Sequence, residues 1–339
     1  MLLVVFVFSS IGMVQAQEVT IKLGHVDPPN PFRSSDHSFA TVFENYVETS
    51  SNGDIQVELY PASQLGAERE SMELLQSKTL QAYIATNGAL AQFFPLVGAV
   101  EIPFSIPSFE VAYKVFDGEF GDAFSEKIRE ETGLRCLAIM EQGGFFHLTN
   151  SVRPIKTPED MKGIKFRTMS LPSHIHFFES MGAQATPISW SEVYTSLQTG
   201  VAEGQHNPIN PIRNANLHEV QDYMTLTNHL YSTHWFLVNN DWFTNLSKEY
   251  QEILTQGAER ANMASRGLNR VIEAAPETGL PLLAESMEIY KPTPEQLEMF
   301  ADKAVPAAKE FVEEELGEEG VEWTNRYLEA VEEAKEELQ

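Results

Sequence analysis

The chain has 339 residues, one cysteine, and 49 Asp and Glu against 23 Lys and Arg, for a formal net charge of −26. That length accommodates about two domains, each able to bury a core without disulfides. So negative a chain disfavours nucleic acid and anionic membrane surfaces as partners and reads as a solvated acidic surface, with adaptation to high salt a second explanation.

The first element is an apolar run, LLVVFVF at residues 2–8, followed by Val14-Gln15-Ala16 ahead of Gln17. A short apolar stretch ending in a small-x-small site reads as a secretory signal peptide over residues 1–16, although no Lys or Arg precedes it. Residues 19–23 then read as a strand and 39–47 as a helix. Residues 55–60 alternate with period two before Pro61 stops them. A helix over 67–76 and a strand over 80–85 complete a βαβαβ unit. Cys136 sits in the apolar run LRCLAIM, where a buried thiol is inert. Gly143-Gly144 reads as a loop. A second unit follows, with strands over 145–148 and 164–168 and helices over 158–161 and 173–181. Two such units predict an α/β fold of two lobes, each a mostly parallel sheet covered by helices, with a ligand cleft at the strands' carboxyl ends. Periodicity alone places one boundary near residue 143.

Residues 182–208, GAQATPISWSEVYTSLQTGVAEGQHNP, hold a turn, Trp190, a short helix ending at Gly200, a strand-like VAEGQ and Asn207-Pro208. Residues 262–276 and those after Pro294 read as helices, and the last thirty carry twelve acidic residues against two basic ones. The 182–208 segment resembles the signature of the solute-binding proteins of TRAP (tripartite ATP-independent periplasmic) transporters, which reads like GA-x-PTPM-x-(aromatic)-x-EVYTALQTGVVDGQENP. PASQLGAER at 61–69, TNSVRPI at 149–155 and TPEDMKGIKFR at 157–167 are similar to further stretches of that family. The resemblance implies a two-lobed periplasmic binding protein fold with a ligand cleft between the lobes and long bracing helices, in which the chain crosses between lobes more than once. Lobe one would be residues 17–144 plus 233–272, and lobe two 145–232 plus 273–339. It further implies an exported periplasmic protein that delivers a small organic acid to TRAP membrane permease subunits, with no cofactor. A periplasmic sensor that presents its closed form to a receptor is the alternative.

Arg167 ends the strand IKFRT, so its planar fork projects towards the cleft, where it matches a carboxylate. The stretch 151–178 carries five Lys and Arg against two Asp and Glu, a local excess of cations. Asn207, held extended by Pro208, can both donate and accept. In the resemblance, Arg167 clamps the ligand's carboxylate, Asn207 lies in the site, and Trp190 is the aromatic opposite the arginine. His147 stands where many relatives of acidic-ligand type carry a second arginine, so the second anionic contact is weak or missing. His25, Gln64, Glu68, Thr86 and Asn87 lie at or after strand ends of lobe one, and Tyr231 and His234 reach the cleft from the other crossing. His174 and His176 point apart on a helix, so a metal is not expected. No nucleophile elbow, P-loop or GxGxxG is present, and the chain reads as a non-enzyme.

Overall fold

The computed structural model describes residues 19–339, so the expected signal peptide over residues 1–16 lies outside the described residues. The first βαβαβ unit consists of β1 (Val19–Gly24), α1 (Ser35–Ser50), β2 (Ile55–Tyr60), α2 (Glu68–Gln76) and β3 (Ala82–Thr86), with β1 parallel to both β2 and β3. Ser34 caps α1 by accepting from the His37 amide, and Phe39, Phe43 and Val47 recur at helical spacing on the face that α1 buries. That spacing turns α1 onto the sheet, where Phe39 and Phe43 pack on Phe236.

The chain continues through α3 (Asn87–Leu90), α4 (Phe109–Phe116) and α5 (Glu119–Thr132) into β4 (Leu134–Phe145). Gly133, left-handed at φ 72°, stops α5 and turns it into the strand. Gly143 and Gly144 are not a loop, because β4 runs through both of them. Their φ values of 76° and 93° are open to glycine and kink the strand as it leaves the first sheet. A Cβ on Gly143 would stand 3.0 Å from that of Asn210.

One residue, Phe146, separates β4 from β5 (His147–Asn150), which opens the second sheet. β6 (Lys165–Thr168), α6 (Pro172–Ser180), β7 (Gln184–Pro187), α7 (Val193–Gln198), β8 (Gly204–Asn207), α8 (Ile209–Asn214) and β9 (Tyr223–Thr225) follow. β8 starts later than the strand expected from residue 201, because Val201 is an exposed apolar residue on the preceding turn. β10 (Tyr231–Asn239) then returns to the first sheet and inserts between β3 and β4, antiparallel to both. After α9 (Asn240–Thr244), α10 (Lys248–Ala274) and α11 (Leu280–Leu283), β11 (Glu288–Tyr290) goes back to the edge of the second sheet. The two sheets have the orders β2-β1-β3-β10-β4 and β11-β9-β5-β8-β6-β7. These are the cores of two lobes.

Two long helices end the chain, α12 (Pro294–Phe311) and α13 (Gly317–Glu337), joined by a wide turn over Val312–Leu316. α12 packs on α6 of the second lobe, but α13 packs on α4 and on residues 95–100 of the first. Trp323, Tyr327 and Val331 share a core with Phe94, Phe124 and Trp235. Placing all of 273–339 in lobe two therefore misses the last helix. Amphipathic spacing establishes that α13 buries a face, and says nothing about which lobe covers it.

Candidate functional site

β6 lies between β7 and β8 and pairs with both in parallel, and its residues after Lys165 are buried. Phe166 points into the second lobe's core, and by alternation Arg167 points out of it, yet Arg167 is only 3% exposed. Its Nε donates to the carbonyl oxygen of Ile188 at 2.9 Å, and its guanidinium lies 5.6 Å from the centre of the Trp190 ring. Among the described residues neither Nη has a hydrogen-bond partner. Burial lowers the pKa of this group to about 10, with Glu68 of the first lobe acting the other way. The guanidinium is therefore a charged fork with two free arms, desolvated at the end of a strand.

Arg167 lines a small cavity between the lobes. Its second-lobe wall is Arg167, Met169, Trp190 and Asn207, and its first-lobe wall includes Asp27, Glu68, Thr86, Asn87, Thr233 and His234. Gln142 and Phe146, on either side of the glycine kink, line the side where the chain crosses between lobes. β1 and β3 point their carboxyl ends at this space, as parallel sheets do towards their ligands.

Asn207 is 5% exposed, and its Nδ2 donates to Gln205 Oε1 at 2.5 Å. Gln205 Nε2 donates in turn to Thr149 Oγ1 at 2.8 Å, which donates to Gln221 Oε1 at 3.0 Å. This relay fixes the amide and leaves Asn207 Oδ1 without a protein donor among the described residues. Asn87 differs. Its Oδ1 accepts from Thr233 at 3.0 Å and from Trp235 at 2.5 Å, and its Nδ2 donates to Glu101, so it mainly stitches the first lobe together.

The first-lobe wall is acidic. Asp27 is 3% exposed; burial, helped by neighbouring Asp36, raises its carboxyl pKa to about 7. Its Oδ2 accepts from Ser34 Oγ at 2.8 Å. Glu68, partly buried at the start of α2, accepts from Thr86 Oγ1 at 2.6 Å; burial raises its pKa, against the pull of Thr86, His234 and Arg167. Behind them His234 Nδ1 meets Asp36 Oδ1 at 2.9 Å. Burial lowers the His234 pKa, but Asp36, Asp27 and Glu68 together outweigh it and raise the result.

Of the eleven candidate residues, Arg167, Asn207, Trp190, Glu68, Thr86, Asn87 and His234 share this cavity, and His147, Tyr231, His25 and Gln64 do not line it. His25 Nε2 turns to His37 Nδ1 at 3.0 Å, and burial lowers its pKa to about 4. The Tyr231 hydroxyl donates to Glu141 at 3.3 Å, and its ring stacks on Phe116. His147 is buried at the start of β5, opposite Asn207, and burial lowers its pKa to about 3. Asp27, Gln142, Phe146, Ser232 and Thr233 line the cavity without having been singled out. Asp27 had a usable signal, since it closely follows a strand end.

His147 carries a prediction with a definite sign. Its imidazole stays neutral in the fold between pH 5.5 and 8, so it adds no pH dependence to ligand binding there. The unfolded chain takes up a proton near pH 6.5 whereas the folded one waits until about 3, so this residue's share of stability is lost as the pH falls. From pH 7 to pH 5 that share is about 2 kcal/mol, at ~1.4 kcal/mol per unit below the unfolded pKa. Urea unfolding at both pH values should find wild type losing about that much more than His147→Leu. Equal losses would mean that His147 takes its proton in the fold.

Among the described residues no group of three or more His, Cys, Asp or Glu is arranged to hold a metal. His174 Nε2 lies 2.7 Å from Glu101 Oε2, and His176 lies against Phe311 instead. Cys136 is half-buried, and burial raises its thiol pKa to about 12, which disfavours the reactive thiolate.

Two lobes that meet around a desolvated guanidinium, with strand ends converging on one small cavity, define a two-lobed solute-binding protein. The family follows from comparison: the model of the bacterial extracellular solute-binding proteins, family 7 (DctP), matches residues 24–315, and the chain belongs to that family. A solute-binding protein of Roseobacter denitrificans is 34% identical over 75% of this chain and 76% of its own length. The 2,3-diketo-L-gulonate-binding periplasmic protein YiaO of Escherichia coli is 31% identical over 74% of this chain and 77% of its own. Among solved structures, the sugar acid binding protein of Advenella mimigardefordensis in complex with galactonate superposes with a TM-score of 0.85 at 28% identity, covering 94% of this chain and 99% of that one. The resemblance to TRAP solute-binding proteins read from residues 182–208 is borne out.

Proposed function

We propose that this protein is exported, captures a small organic anion between its lobes through a carboxylate seated on Arg167, and delivers it to TRAP membrane permease subunits. The observation that carries this reading is the state of Arg167, which is buried, charged and left with both Nη groups unpaired at the boundary of the lobes. A carboxylate offers two parallel acceptors to that fork, and the closed lobes keep water from competing. The relatives bind acids of this kind by name, 2,3-diketo-L-gulonate and galactonate. Closure is driven by the ligand's preference for the closed state, which is the shape the permease would receive.

A thermal-shift screen of organic acids tests the reading. A ligand at 100 times its Kd adds ~2.7 kcal/mol of stability, whereas the methyl ester of the same acid should add almost nothing. Stabilisation by neutral solutes and by no acid would overturn it. Export is tested separately, by mass spectrometry of periplasmic protein. The cleavage pattern at Val14-Gln15-Ala16 gives a mature chain starting at or near Gln17, and a retained Met1 would overturn this part.

A further inference from the structure

The cavity has two poles. Arg167 Nη groups supply donors on the second-lobe side, while Asp27 and Glu68 face the same space from the first lobe. Asp27 Oδ2 is engaged by Ser34 and Glu68 Oε1 by Thr86, so each carboxyl keeps one oxygen without a protein donor among the described residues. Asn207 Oδ1 is a third open acceptor, because its Nδ2 is held by Gln205. His234 also lines this wall, but its Nδ1 lies 2.9 Å from Asp36 Oδ1, so with Asp36 counted the first-lobe groups hold more acids than cations. An acidic cluster alone would say little. Here it shares the cavity lining with a buried guanidinium whose Nη groups have no hydrogen-bond partner among the described residues.

We infer that the ligand is a monocarboxylate bearing hydrogen-bond donors, hydroxyl or protonated nitrogen, at the end remote from its carboxylate, and that Asp27 and Glu68 receive those donors. The inference rests on the proposed seating of the carboxylate on Arg167. Once a carboxylate occupies the fork, the remaining charge of the lining is negative. A second carboxylate at the far end would meet Asp27 and Glu68 as a like charge, and an apolar end would leave both acids desolvated and unpaired. Hydroxyls and ammonium groups satisfy them. The pair thus rejects dicarboxylates as well as selecting donors. Trp190 and Phe146 supply flat apolar surface along the ligand's body, which costs a compact molecule nothing in hydrogen bonds.

Calorimetry at pH 8, where Asp27 is mostly ionised, provides the test. The probes are chain-matched sets of four and six carbons: erythronate and gluconate, 4-aminobutanoate and 6-aminohexanoate, succinate and adipate, butanoate and hexanoate. In at least one length class a donor-bearing monocarboxylate should bind about tenfold or more tighter than the dicarboxylate and the plain acid. Asp27→Asn and Glu68→Gln should narrow that preference, because the plain acid and the dicarboxylate no longer meet buried charges there and bind more tightly. The two donor types separate in these variants. An amide still accepts from a hydroxyl, so hydroxy acids lose only a few-fold, whereas ammonium acids lose the ion pair and fall by about tenfold or more. A dicarboxylate that binds as tightly as every donor-bearing probe, and is still weakened by Arg167→Ala, would overturn the acceptor pole and leave the carboxylate seat standing. Preference for a neutral polyol over every acid, unchanged in Arg167→Ala, would overturn the seat and this inference with it.

Discussion

Arg167→Ala is expected to weaken binding of the cognate acid by at least about thirtyfold without lowering the melting temperature of the ligand-free protein. Removing one partner of a buried, hydrogen-bonded charge pair costs ~2–5 kcal/mol, and each ~1.4 kcal/mol is a factor of ten. Arg167→Lys keeps a charge but loses the planar fork, so it should recover only part of the loss. The stability half of the prediction follows from the same burial. Burial lowers the Arg167 pKa to about 10, so the cleft as arranged in this structure disfavours the charge by an amount on the order of 3 kcal/mol, and an open cleft would disfavour it less. Its single protein hydrogen bond, to Ile188, does not offset that. The guanidinium is thus held at a cost that the ligand's carboxylate relieves on closure, and deleting it should leave the empty protein as stable as before or more so. Calorimetry paired with melting curves reads both halves. Near-native affinity in Arg167→Ala, or a ligand-free melting temperature several degrees lower, would make Arg167 a structural residue.

What could be read in advance depended on whether a feature is local. β1, β2 and β6 were legible because four to six residues alternate or run apolar between clear stops, and Arg167 was legible because it ends such a run. The insertion of β10 between β3 and β4 was not, since it pairs residues that are far apart in the chain and nothing in YSTHWFLVN names its partners. The course of β4 through Gly143 and Gly144 was hidden for the same reason, because the backbone is held there by α8 and Phe109. Within the site the limit was orientation. His147 and Phe146 are adjacent and both lie at the crossing, but only Phe146 faces the cavity. Successive residues on an extended chain point to opposite sides, so placing a strand end to within one residue leaves the choice between such neighbours open. His25 and Asp27 are two apart and would share a face on an extended strand, but β1 ends at Gly24, so alternation no longer orders them, and Asp27, not His25, lines the cavity.

Arg270→Met should destabilise the whole protein by about 3 kcal/mol near neutral pH, and by clearly less at pH 5. Glu141 lies on β4 close to the kink and is completely buried. It accepts from Arg270 of α10, from Tyr113 of α4 at 2.9 Å, from Tyr231 of β10 at 3.3 Å and from Asn269 of α10 at 3.1 Å. Four elements therefore meet on one carboxylate beside the point where the chain leaves the first lobe. The Arg270 guanidinium itself lies over the Phe109 ring, so methionine keeps an apolar stem of similar length but loses that stacking along with the charge, and only the charge contribution depends on pH. What remains is a buried carboxylate with neutral donors, the situation in which breaking a pair costs ~3–5 kcal/mol; the low end applies because Tyr113 and Asn269 still donate. The pH dependence fixes the mechanism. Burial already raises the Glu141 pKa, with Arg270 as the main opposing influence, and losing the cation raises it further. A carboxyl whose folded pKa lies above its unfolded one favours the fold below the unfolded value and loses that contribution as the pH rises through the folded value. Acidification from pH 8 to 5 should therefore let Glu141 take a proton and return part of the variant's deficit. Urea midpoints at the two pH values measure this, and the melting temperature at pH 8 should fall by roughly 4–5 °C. A deficit of equal size at both pH values would mean that the loss comes from packing against Phe109 and not from the stranded charge.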